Sequence, residues 1–511
     1  ASDVYKRQEL MNMQRFYLYL NMTKPGEKLI LSYSDTNAKG EGISPAYLIG
    51  SIRSLYPKLE IEGGAGVRPH KNSINNYCYP ENPEAGIDLF LEKLVQETEK
   101  EHEDILEQAD ETDAMFGELY SWYLRNTEYR SRVQKLVQSA FAGKPEDIIS
   151  QSVAKALYGE VSPYSATRLE RFAACAFAHF LQYGMKLTER VEYEFKPMDM
   201  GNVMHEALES FAEEVRKRGM KWTELTEQER NEIADRCLDN IVADYGNTVL
   251  KSSARNEYMI ERTRRILRRT VWALQKQLEQ GEFQPEGFEV TFGGGRIDRV
   301  DIMEDQNKVY VKVIDYKTGN TSFDLVYLYH GLQLQLMIYL DGALRVEQKK
   351  YPDKEIIPAG VFYYNIKDPM IQEKIDADVE AVSAGLMKEL KMNGLAQADP
   401  ELVYRMDSSL GSIPVAFNKD GSFRKNSSVA DRTQFAVLGR YVRTKIEKIR
   451  SSILEGDAEV SPYELGKKNA CTYCPYMTVC GFDRRLSGYE FRRLKNFSDE
   501  ELWKAFDREA E

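Results

Sequence analysis

The chain has 511 residues, of which 42% are hydrophobic and 29% are charged, so it is long enough to form two or three domains with their own cores. A net charge of −12 argues against a protein that coats nucleic acid with its whole surface, although a local basic groove remains compatible with DNA binding. No apolar run reaches the roughly 18 residues of a membrane span, and the polar start has no signal-peptide pattern, so we expect a cytoplasmic protein with no membrane partner. Because the sequence starts without Met, we also expect the natural protein to be longer.

Residues 1–60 predict a helix that runs into a buried strand. The helix covers the apolar and aromatic residues 16–24, and the strand covers residues 28–34. The pair resembles the last motif region of superfamily 1 helicases, in which an arginine near the end of the helix reaches the ATP phosphates; Lys24 stands at that position here. Because the sequence contains no G-x-x-x-x-G-K-[ST] phosphate loop, we expect this C-terminal fragment of a helicase-like domain to hydrolyse no ATP on its own.

Residues 61–160 predict an acidic, mostly helical and solvated connector. A further unit, residues 161–490, begins with Ser165, a good N-cap for the helix that follows, and leads into a C-terminal tail at 491–511. Together with a β-hairpin, the order of its elements predicts an α/β fold in which helices flank a mixed sheet. Helices are predicted at 201–218, 226–245, 256–280, 325–346, 376–393 and 430–454, and a strand at 359–364.

The predicted β-hairpin is the most informative part of the sequence. Its strands contain residues 295–301 and 313–319, and the polar residues 305–308 form the turn between them. Side chains alternate across a strand, so Asp315 and Lys317 lie on one face. Two carboxylates and a lysine on such a hairpin are the minimal equipment for cutting a phosphodiester with a metal ion.

The register of this hairpin decides which residue supplies the second carboxylate. If the two residues that flank the turn pair with each other, Asp298 lies opposite Asp315. The same register places Asp301 opposite Lys312 on the other face, as a cross-strand ion pair. The pattern therefore selects Asp298 rather than Asp301, and a slip of one residue would reverse that choice.

Two predicted helices carry further candidate residues. The helix that opens at Gly201 as G-x-x-x-H-E places His205 beside its buried stripe. Gln335 and Tyr339 are four residues apart in Q-x-x-x-Y, hence on one helical face. Taken singly, His205 reads as an ordinary half-buried histidine, the Gln–Tyr pair as an amphipathic pattern, and D-x-K as surface charge. Their combination is what points to a chemical site.

The order of the motifs G-x-x-x-H-E, G-x-I-D, D-Y-K-T-G and Q-x-x-x-Y resembles the RecB-type branch of the PD-(D/E)XK nuclease superfamily, from residue 162 to residue 483. The resemblance implies a nuclease that uses Mg²⁺, an ion that prefers oxygen ligands. It implies that Lys317 positions or activates the attacking water and offsets phosphorane charge. The implied metal ligands are the side chains of His205, Asp298 and Asp315 and the backbone carbonyl of Tyr316, while Gln335 and Tyr339 support the site or contact the DNA backbone.

Four cysteines form a second candidate metal site. Cys471, Cys474 and Cys480 have C-x₂-C-x₅-C spacing, and Cys175, far upstream, is the strongest candidate for a fourth ligand. Spacing alone leaves a tetrahedral zinc site and a [4Fe–4S] cluster open, because both use four thiolates. In either case the site would tie the two ends of the nuclease unit together. The remaining cysteines are isolated in the sequence, and we expect them to bind no metal.

A lone cysteine before the nuclease motifs and C-x₂-C-x₅-C after them resembles the iron–sulfur staple of AddB-like subunits of AddAB helicase–nucleases; Ala176 departs from the Pro that this family often has. The resemblance implies a [4Fe–4S] cluster, an AddA-like helicase–nuclease subunit as partner, and a single DNA strand from unwound duplex as substrate. We therefore expect a metal-dependent exodeoxyribonuclease subunit that processes double-strand ends for homologous recombination repair. The alternatives are a catalytically silent DNA-binding scaffold and a free-standing iron–sulfur exonuclease.

Clustered basic residues are candidates for DNA contacts. One set crowds a single predicted helix and comprises Arg262, Arg264, Arg265, Arg268 and Arg269. A second set follows the cysteines and comprises Arg484, Arg485, Arg492, Arg493 and Lys495. Contacts from either set to phosphates would be independent of DNA sequence. A solvated cationic helix face explains the first set equally well.

Overall fold

The computed structural model describes residues 2–33, 44, 46–59, 82–99, 111–140, 148–159, 165–188, 197–244, 254–293, 295–371, 378–485 and 488–510. Contacts along the backbone divide the chain into two compact units, Ala1–Phe141 and Ala142–Glu511. The boundary between these units falls within residues 61–160, the segment predicted as a connector.

The first unit is helical over most of its described residues. Its helices are α1 (Ser2–Thr23), α2 (Tyr47–Leu55), α3 (Pro83–Glu99), α4 (Glu111–Arg125) and α5 (Arg130–Ala140). The last three of these enclose a small core. In this core Phe90 stacks on Phe116, with ring centroids 4.7 Å apart, and the Tyr123 hydroxyl donates to the carbonyl of Pro83 at 2.6 Å. The helical prediction is confirmed for these residues, but the segment is not solvated throughout, because it buries apolar side chains of its own.

The predicted strand at residues 28–34 is wrong for the residues that are described there. The helix predicted before it is confirmed as the C-terminal part of α1. Residues 28–33, however, form no strand, and Ile30 and Leu31 are 75% and 41% exposed; Ser34 lies outside the described residues. A strand needs a neighbouring backbone to pair its N–H and C=O groups, and an apolar run supplies none by itself.

The second unit is built on a six-stranded mixed sheet. The strands follow chain order: β1 (Gln284–Phe292), β2 (Gly295–Glu304), β3 (Lys308–Lys317), β4 (Glu355–Asn365), β5 (Asn393–Gln397) and β6 (Val429–Ala430). Pairing is parallel between β3 and β4 and between β5 and β6, and antiparallel between the other neighbours. Three short strands, β7 (Tyr463–Leu465), β8 (Lys468–Asn469) and β9 (Arg492–Arg493), form a second sheet.

Helices cover both faces of the larger sheet, which confirms the predicted α/β class. The helices described in this unit are α6 (Gln151–Tyr158), α7 (Ala166–Ala174), α8 (Ala176–His179), α9 (Pro197–Lys217), α10 (Glu227–Asp244), α11 (Ala254–Glu279), α12 (Leu325–Tyr329), α13 (Gln335–Lys350), α14 (Val379–Glu389), α15 (Pro400–Met406), α16 (Arg432–Glu455), α17 (Met477–Cys480) and α18 (Asp499–Ala510). One face packs against α7, α13, α16 and α18, and the other against α9, α10 and α11. Among the described helices, none is both long and apolar enough to cross a membrane.

The register of the β2–β3 hairpin is the predicted one. Glu304 pairs with Val309, so the turn lies between them, and Asp301 pairs with Lys312. The ion pair predicted from this register is present, with Lys312 Nζ 2.9 Å from Asp301 Oδ2. Because both faces of β2 are covered, the charged residues that point away from the candidate site are also buried, and each must find a partner inside the protein.

The single helix predicted at residues 325–346 is wrong: the structure has two helices there, α12 and α13. Between them the chain turns at Gly331, whose φ of +79° lies in the left-handed region that favours glycine. The amide of Gly331 donates to the carbonyl of Leu328 at 2.9 Å, and the amide of Leu332 donates to that of Tyr327 at 2.8 Å, which ends α12. The apolar period continues through the break, so periodicity alone did not reveal it.

Candidate active site

Two carboxylates meet at the ends of β2 and β3 that lie away from their shared turn. Asp298 and Asp315 are 7% and 1% exposed, and the register of the hairpin places them across from each other. The backbone amide of Tyr316 donates to Asp298 Oδ2 at 2.7 Å and orients that carboxylate. Burial is the main reason why the pKa of Asp315 is raised, and the nearby charge of Asp298 raises it further. Two buried carboxylates this close favour a cation beside them.

His205 from α9 completes this group. The predicted buried stripe of α9 is observed, and His205 lies beside it, so that its ring reaches the sheet. Its Nδ1 is 3.4 Å from Asp298 Oδ2, and the ring meets Tyr316 edge to face. Burial alone would lower the pKa of His205, but hydrogen bonds to Asp298 and Glu289 and their charges raise it to about 10. The two carboxylates therefore favour the positively charged form of the imidazole.

Glu289 on β1 belongs to the site, although the sequence analysis did not select it. Its Oε1 is 3.6 Å from His205 Nδ1, and the ligand atoms of His205, Glu289 and Asp298 all lie within 4.8 Å of one another. Its Oε2 accepts an ion pair from Arg296 Nε at 2.6 Å. Glu289 is not glycine, yet its φ is +49°, and strained backbone of this kind concentrates at functional sites. The available signal was its place in the strand before G-x-I-D.

Lys317 joins the carboxylates to helix α13. Its Nζ is 2.5 Å from Asp315 Oδ2 and donates to Gln335 Oε1 at 2.7 Å. The amide nitrogen of Gln335 donates in turn to the Tyr339 hydroxyl at 2.9 Å. The predicted helical face of Gln335 and Tyr339 thus points into the site. The Lys317 side chain is 27% exposed, in contrast to the buried Asp315, so it is the part of the pair that solvent and substrate can reach.

A second residue that the sequence analysis missed lies behind Lys317. Glu170 on α7 accepts, through Oε1, hydrogen bonds from the backbone amides of Leu334 and Gln335 at 2.7 and 3.0 Å. Burial raises the pKa of Glu170 to about 7, although the two amides and Lys317 oppose this change. No local pattern marks Glu170, because its partners are far away in the sequence.

The four predicted cysteine ligands line one cavity, together with Ala178 and Tyr476. Cys175 follows the last residue of α7, and Cys480 is the last residue of α17. Burial raises the pKa of Cys471 to about 12, and the charges of the other three cysteines act in the same direction. Among these described cysteines, no three sulfur atoms lie within 4.8 Å of one another.

Two arginines lie near residues of the cysteine cavity. Arg492 is exposed and donates to the carbonyl of Ala173, and the guanidinium of Arg171 lies 5.7 Å from the centre of the Tyr476 ring. Such charges suit a group of thiolates that bears net negative charge. Cys237 is buried elsewhere, in the core beneath α9 and α10, and Cys78 lies outside the described residues.

Helix α11 presents the first predicted DNA-binding set, but several of its charges have partners within the protein. Arg264 contacts Asp239 at 2.7 Å, and Arg268 forms a bidentate pair with Asp235. Arg265 reaches Asp368 at 2.5 Å, Arg269 lies over the ring of Trp272, and Arg262 is exposed. Most of these arginines therefore stabilise the fold. Arg262 and Arg265 are the exposed members of the set with the fewest partners within the protein.

Most residues of the second basic set also have partners within the protein. Arg485 pairs with Asp483 at 2.6 Å, Arg493 with Glu464 at 3.7 Å and Lys495 with Glu501 at 3.1 Å. Arg484 lies over the ring of Phe491, and Arg492 donates to the carbonyl of Ala173. These exposed pairs are weak, so phosphate groups could compete for the same cations.

Two buried carboxylates, a neighbouring histidine and a lysine thus lie together at one end of a hairpin in a mixed sheet, and this arrangement suits a metal-dependent nuclease. The sequence model of the PD-(D/E)XK nuclease superfamily matches residues 163–481, and the chain belongs to this superfamily.

Three relatives of the chain share one name, which indicates a particular kind of nuclease. Over 98% of its length the chain is 39% identical to a protein of Lachnoclostridium phytofermentans that is named as the B subunit of an ATP-dependent helicase/deoxyribonuclease, and it covers 43% of that protein. The proteins of the same name from Clostridium acetobutylicum and Thermoanaerobacter sp. are 31% and 30% identical over 97% of the chain, which covers 44% of each. The chain thus spans less than half the length of these relatives.

Proposed function

We propose that this chain is the nuclease-bearing part of a helicase–nuclease complex, and that it hydrolyses phosphodiester bonds of one DNA strand as the duplex is unwound. The observation that carries the proposal is the convergence of His205, Asp298, Asp315 and Lys317 at one end of the β2–β3 hairpin. Buried carboxylates beside a histidine and a lysine form a donor set that a divalent cation can use.

The donor set fits a divalent metal ion such as Mg²⁺. Carboxylate oxygens dominate it, and such oxygens suit Mg²⁺ or Mn²⁺ better than softer ions. The ligand atoms of His205, Glu289 and Asp298 lie within 4.8 Å of one another and would hold the ion. Asp315 lies outside that group but near enough for the charge of Asp298 to act on it, and it would be the further carboxylate ligand. The carbonyl of Tyr316 stays a predicted ligand. When bound, the ion lowers the pKa of a water molecule and stabilises charge on the phosphoryl oxygens.

The side chains around the site have two roles: some position the catalytic candidates, and others supply charge. The Tyr316 amide holds the Asp298 carboxylate, and the Lys317 ammonium extends from Asp315 towards solvent, where it can meet a phosphate oxygen and offset the charge that develops there. Gln335 and Tyr339 keep the ammonium in place through their hydrogen bonds.

The relatives supply the context of the proposed activity. Their shared name, which describes one of the subunits of an ATP-dependent helicase/deoxyribonuclease, favours an AddA-like subunit as partner and a strand from unwound duplex as substrate. We infer exonucleolytic processing of double-strand ends for homologous recombination repair in the cytoplasm. Residues 1–60 stay a predicted fragment of a helicase-like domain, residues 61–160 a predicted connector, residues 161–490 the predicted nuclease domain and residues 491–511 a predicted tail.

We also infer that Cys175, Cys471, Cys474 and Cys480 bind a [4Fe–4S] cluster. All four line one cavity. Four thiolates suit a zinc ion and a [4Fe–4S] cluster alike. The choice of the cluster rests on the resemblance of the cysteine spacing to the iron–sulfur staple of AddB-like subunits. Its role would be structural, because it joins the end of α7 to the segment after β8.

The decisive experiment for the nuclease uses the complete protein in complex with its partner and a duplex labelled on either strand. We expect Asp315→Ala to abolish cutting of one strand in Mg²⁺, while unwinding and cutting of the other strand continue. Asp353→Ala, an exposed aspartate outside the site, is the matched control. Normal cutting of both strands by Asp315→Ala would falsify the proposal.

The cluster requires its own test. Anaerobically purified complex should contain about four iron atoms for each copy of this chain. Cys175→Ser should lose iron and become sensitive to protease, because a metal site contributes its binding energy to folding. Cys237→Ser, a buried cysteine away from the cavity, should keep its iron. Stoichiometric zinc without iron would replace the cluster by a zinc site, and retained iron in Cys175→Ser would show that Cys175 is no ligand.

A further inference from the structure

Helix α13 begins without a capping side chain from its own segment. Its N-cap residue is Leu334, which has no side-chain oxygen and makes no capping hydrogen bond. The preceding Gln333 is engaged elsewhere, since its amide nitrogen donates to the carbonyl of Ser322 and its oxygen accepts from the amide of Asp324. The first amides of α13 therefore need an acceptor from another part of the chain.

Glu170 supplies that acceptor. A single oxygen of its carboxylate, Oε1, accepts from the amides of Leu334 and Gln335 at 2.7 and 3.0 Å. Glu170 is held firmly, because the neighbouring Leu169 and Phe172 on α7 are buried in the main core and Ser165 caps the start of α7. A negative charge at a helix N-terminus is also favourable in its own right.

The first residue of α13 is the one that holds the catalytic lysine candidate. Gln335 accepts from Lys317 Nζ at 2.7 Å, and its amide orientation is set by the donation to Tyr339 at 2.9 Å. Any movement of the Gln335 backbone would carry its side chain away from Lys317. The chain of contacts thus runs from the Glu170 carboxylate through the first turn of α13 to the Lys317 ammonium.

We propose that Glu170 is a positioning residue of the nuclease site, which holds the first turn of α13 so that Gln335 keeps Lys317 beside Asp315. This inference rests on the proposed nuclease function. Glu170 acts through Gln335, and what it contributes is a hydrogen-bond acceptor at a defined place. Misplacement of a reacting group by about 1 Å can lower a rate about 100-fold, so a positioning residue can matter greatly without touching substrate.

The test measures single-turnover strand cleavage, DNA affinity and thermal unfolding in the complete complex. We expect Glu170→Ala to lower the cleavage rate by about 10- to 100-fold while the Kd for DNA stays the same. Glu170→Gln keeps an acceptor oxygen and should recover most of the rate. Glu170→Ala and Gln335→Ala act on one path, so the double variant should be no slower than the slower single variant.

The matched control removes a helix cap away from the site. Asp399 accepts from the amides of Glu401 and Leu402 at the start of α15, close to the β2–β3 turn at the opposite end of the hairpin. Asp399→Ala should lower the unfolding temperature but leave the cleavage rate intact. If Glu170→Ala does not fold, Glu170→Asp replaces it, because the shorter side chain withdraws the acceptor from the two amides; a parental cleavage rate for Glu170→Asp would overturn the inference.

Three results would overturn the inference. They are a parental rate for Glu170→Ala, a Glu170→Gln variant as slow as Glu170→Ala, and losses in Glu170→Ala and Gln335→Ala that multiply. Failure of the proposed function is recognised separately, because the parent complex would then not cut the strand or Asp315→Ala would cut it normally.

Discussion

The β2–β3 hairpin carries one charged cluster on each face of the sheet, and the two clusters differ in balance. On the face towards α9, α10 and α11, Arg299 forms a bidentate pair with Asp301 at 2.6 and 2.9 Å, and Lys312 lies 2.9 Å from the same carboxylate. All three residues are at most 5% exposed. Burial acts against these charges, yet the two cations hold the pKa of Asp301 below its usual value. This cluster is closed to solvent and needs no further ion.

The cluster on the other face has proportionally more carboxylates. Asp315 pairs with Lys317, Asp298 lies beside His205, and Glu289 lies between His205 and Arg296. Burial would lower the pKa of His205, but hydrogen bonds to Asp298 and Glu289 raise it to about 10. The residue types are nearly the same on both faces, so residue type does not separate a structural cluster from a metal site. The ratio of carboxylates to cations, and access for a phosphate, separate them.

Two lysines of the same strand give the sharpest contrast. Lys317→Ala should lower strand cleavage by about 10²–10³-fold or more, because it removes the charge that faces the phosphate, and should leave the unfolding temperature nearly unchanged. Lys312→Ala should do the reverse: it should lower the unfolding temperature and spare the rate of the molecules that remain folded. Single-turnover cleavage and thermal unfolding of the same two preparations check this. Equal effects on both quantities would remove the distinction between the faces.

The matched aspartates should separate stability from activity in the same way. Asp301→Asn leaves two buried cations without their carboxylate and should lower the free energy of unfolding by about 3–5 kcal/mol. Asp315→Asn removes one of two adjacent buried carboxylates, so the metal-free protein should lose little or no stability while its activity disappears. Denaturant unfolding in the presence of a chelator compares the two variants. A larger stability loss for Asp315→Asn than for Asp301→Asn would contradict the assignment.

A smaller effect is expected at His205. His205→Ala removes one ligand and leaves the carboxylates, so half-maximal cleavage should need about 10-fold more Mg²⁺ and activity should recover partly at high Mg²⁺. His330→Ala is the control, because His330 bonds to the carbonyl of Lys495 outside the site. A metal dependence of His205→Ala identical to that of the parent would return His205 to the role of a half-buried core histidine.

The smallest effect should come from the backbone of Glu289. Glu289→Ala and Glu289→Gly both remove the carboxylate and should weaken Mg²⁺ binding to a similar, modest extent. Glycine adopts a φ of +49° without strain, so Glu289→Gly should be more stable than Glu289→Ala by about 1 kcal/mol or more. Isothermal titration with Mn²⁺ and thermal unfolding test the two parts separately. Equal stabilities would show that the left-handed backbone carries no strain in solution.

Much of this site could be read from the sequence, because local rules govern it. The two strands and their turn fix a register, and a register fixes which side chains share a face, so the choice of Asp298 over Asp301 followed directly. The helical spacing of Gln335 and Tyr339 was likewise sufficient to place them together. The cysteine spacing identified the residues that line one cavity, although not which metal they bind.

Other features could not be read in this way. Arg264 and Arg268 look like free cations in the sequence, but Asp235 on the neighbouring helix accepts both. The break at Gly331 interrupts no apolar period. The roles of Glu289 and Glu170 depend on partners that are brought close only when the sheet and its helices pack together.

The sequence by itself determined the α/β class and the register of the β2–β3 hairpin, and that register selected Asp298, Asp315 and Lys317 as candidate site residues, because alternation along a strand and periodicity along a helix are local properties. The tertiary structure decided which charges are neutralised. It also placed Nδ1 of His205 beside Asp298 and Glu170 at the start of the helix behind Lys317. The physical reason is that charge balance and capping depend on distances of a few ångströms between segments that are far apart in the chain. Only packing sets those distances.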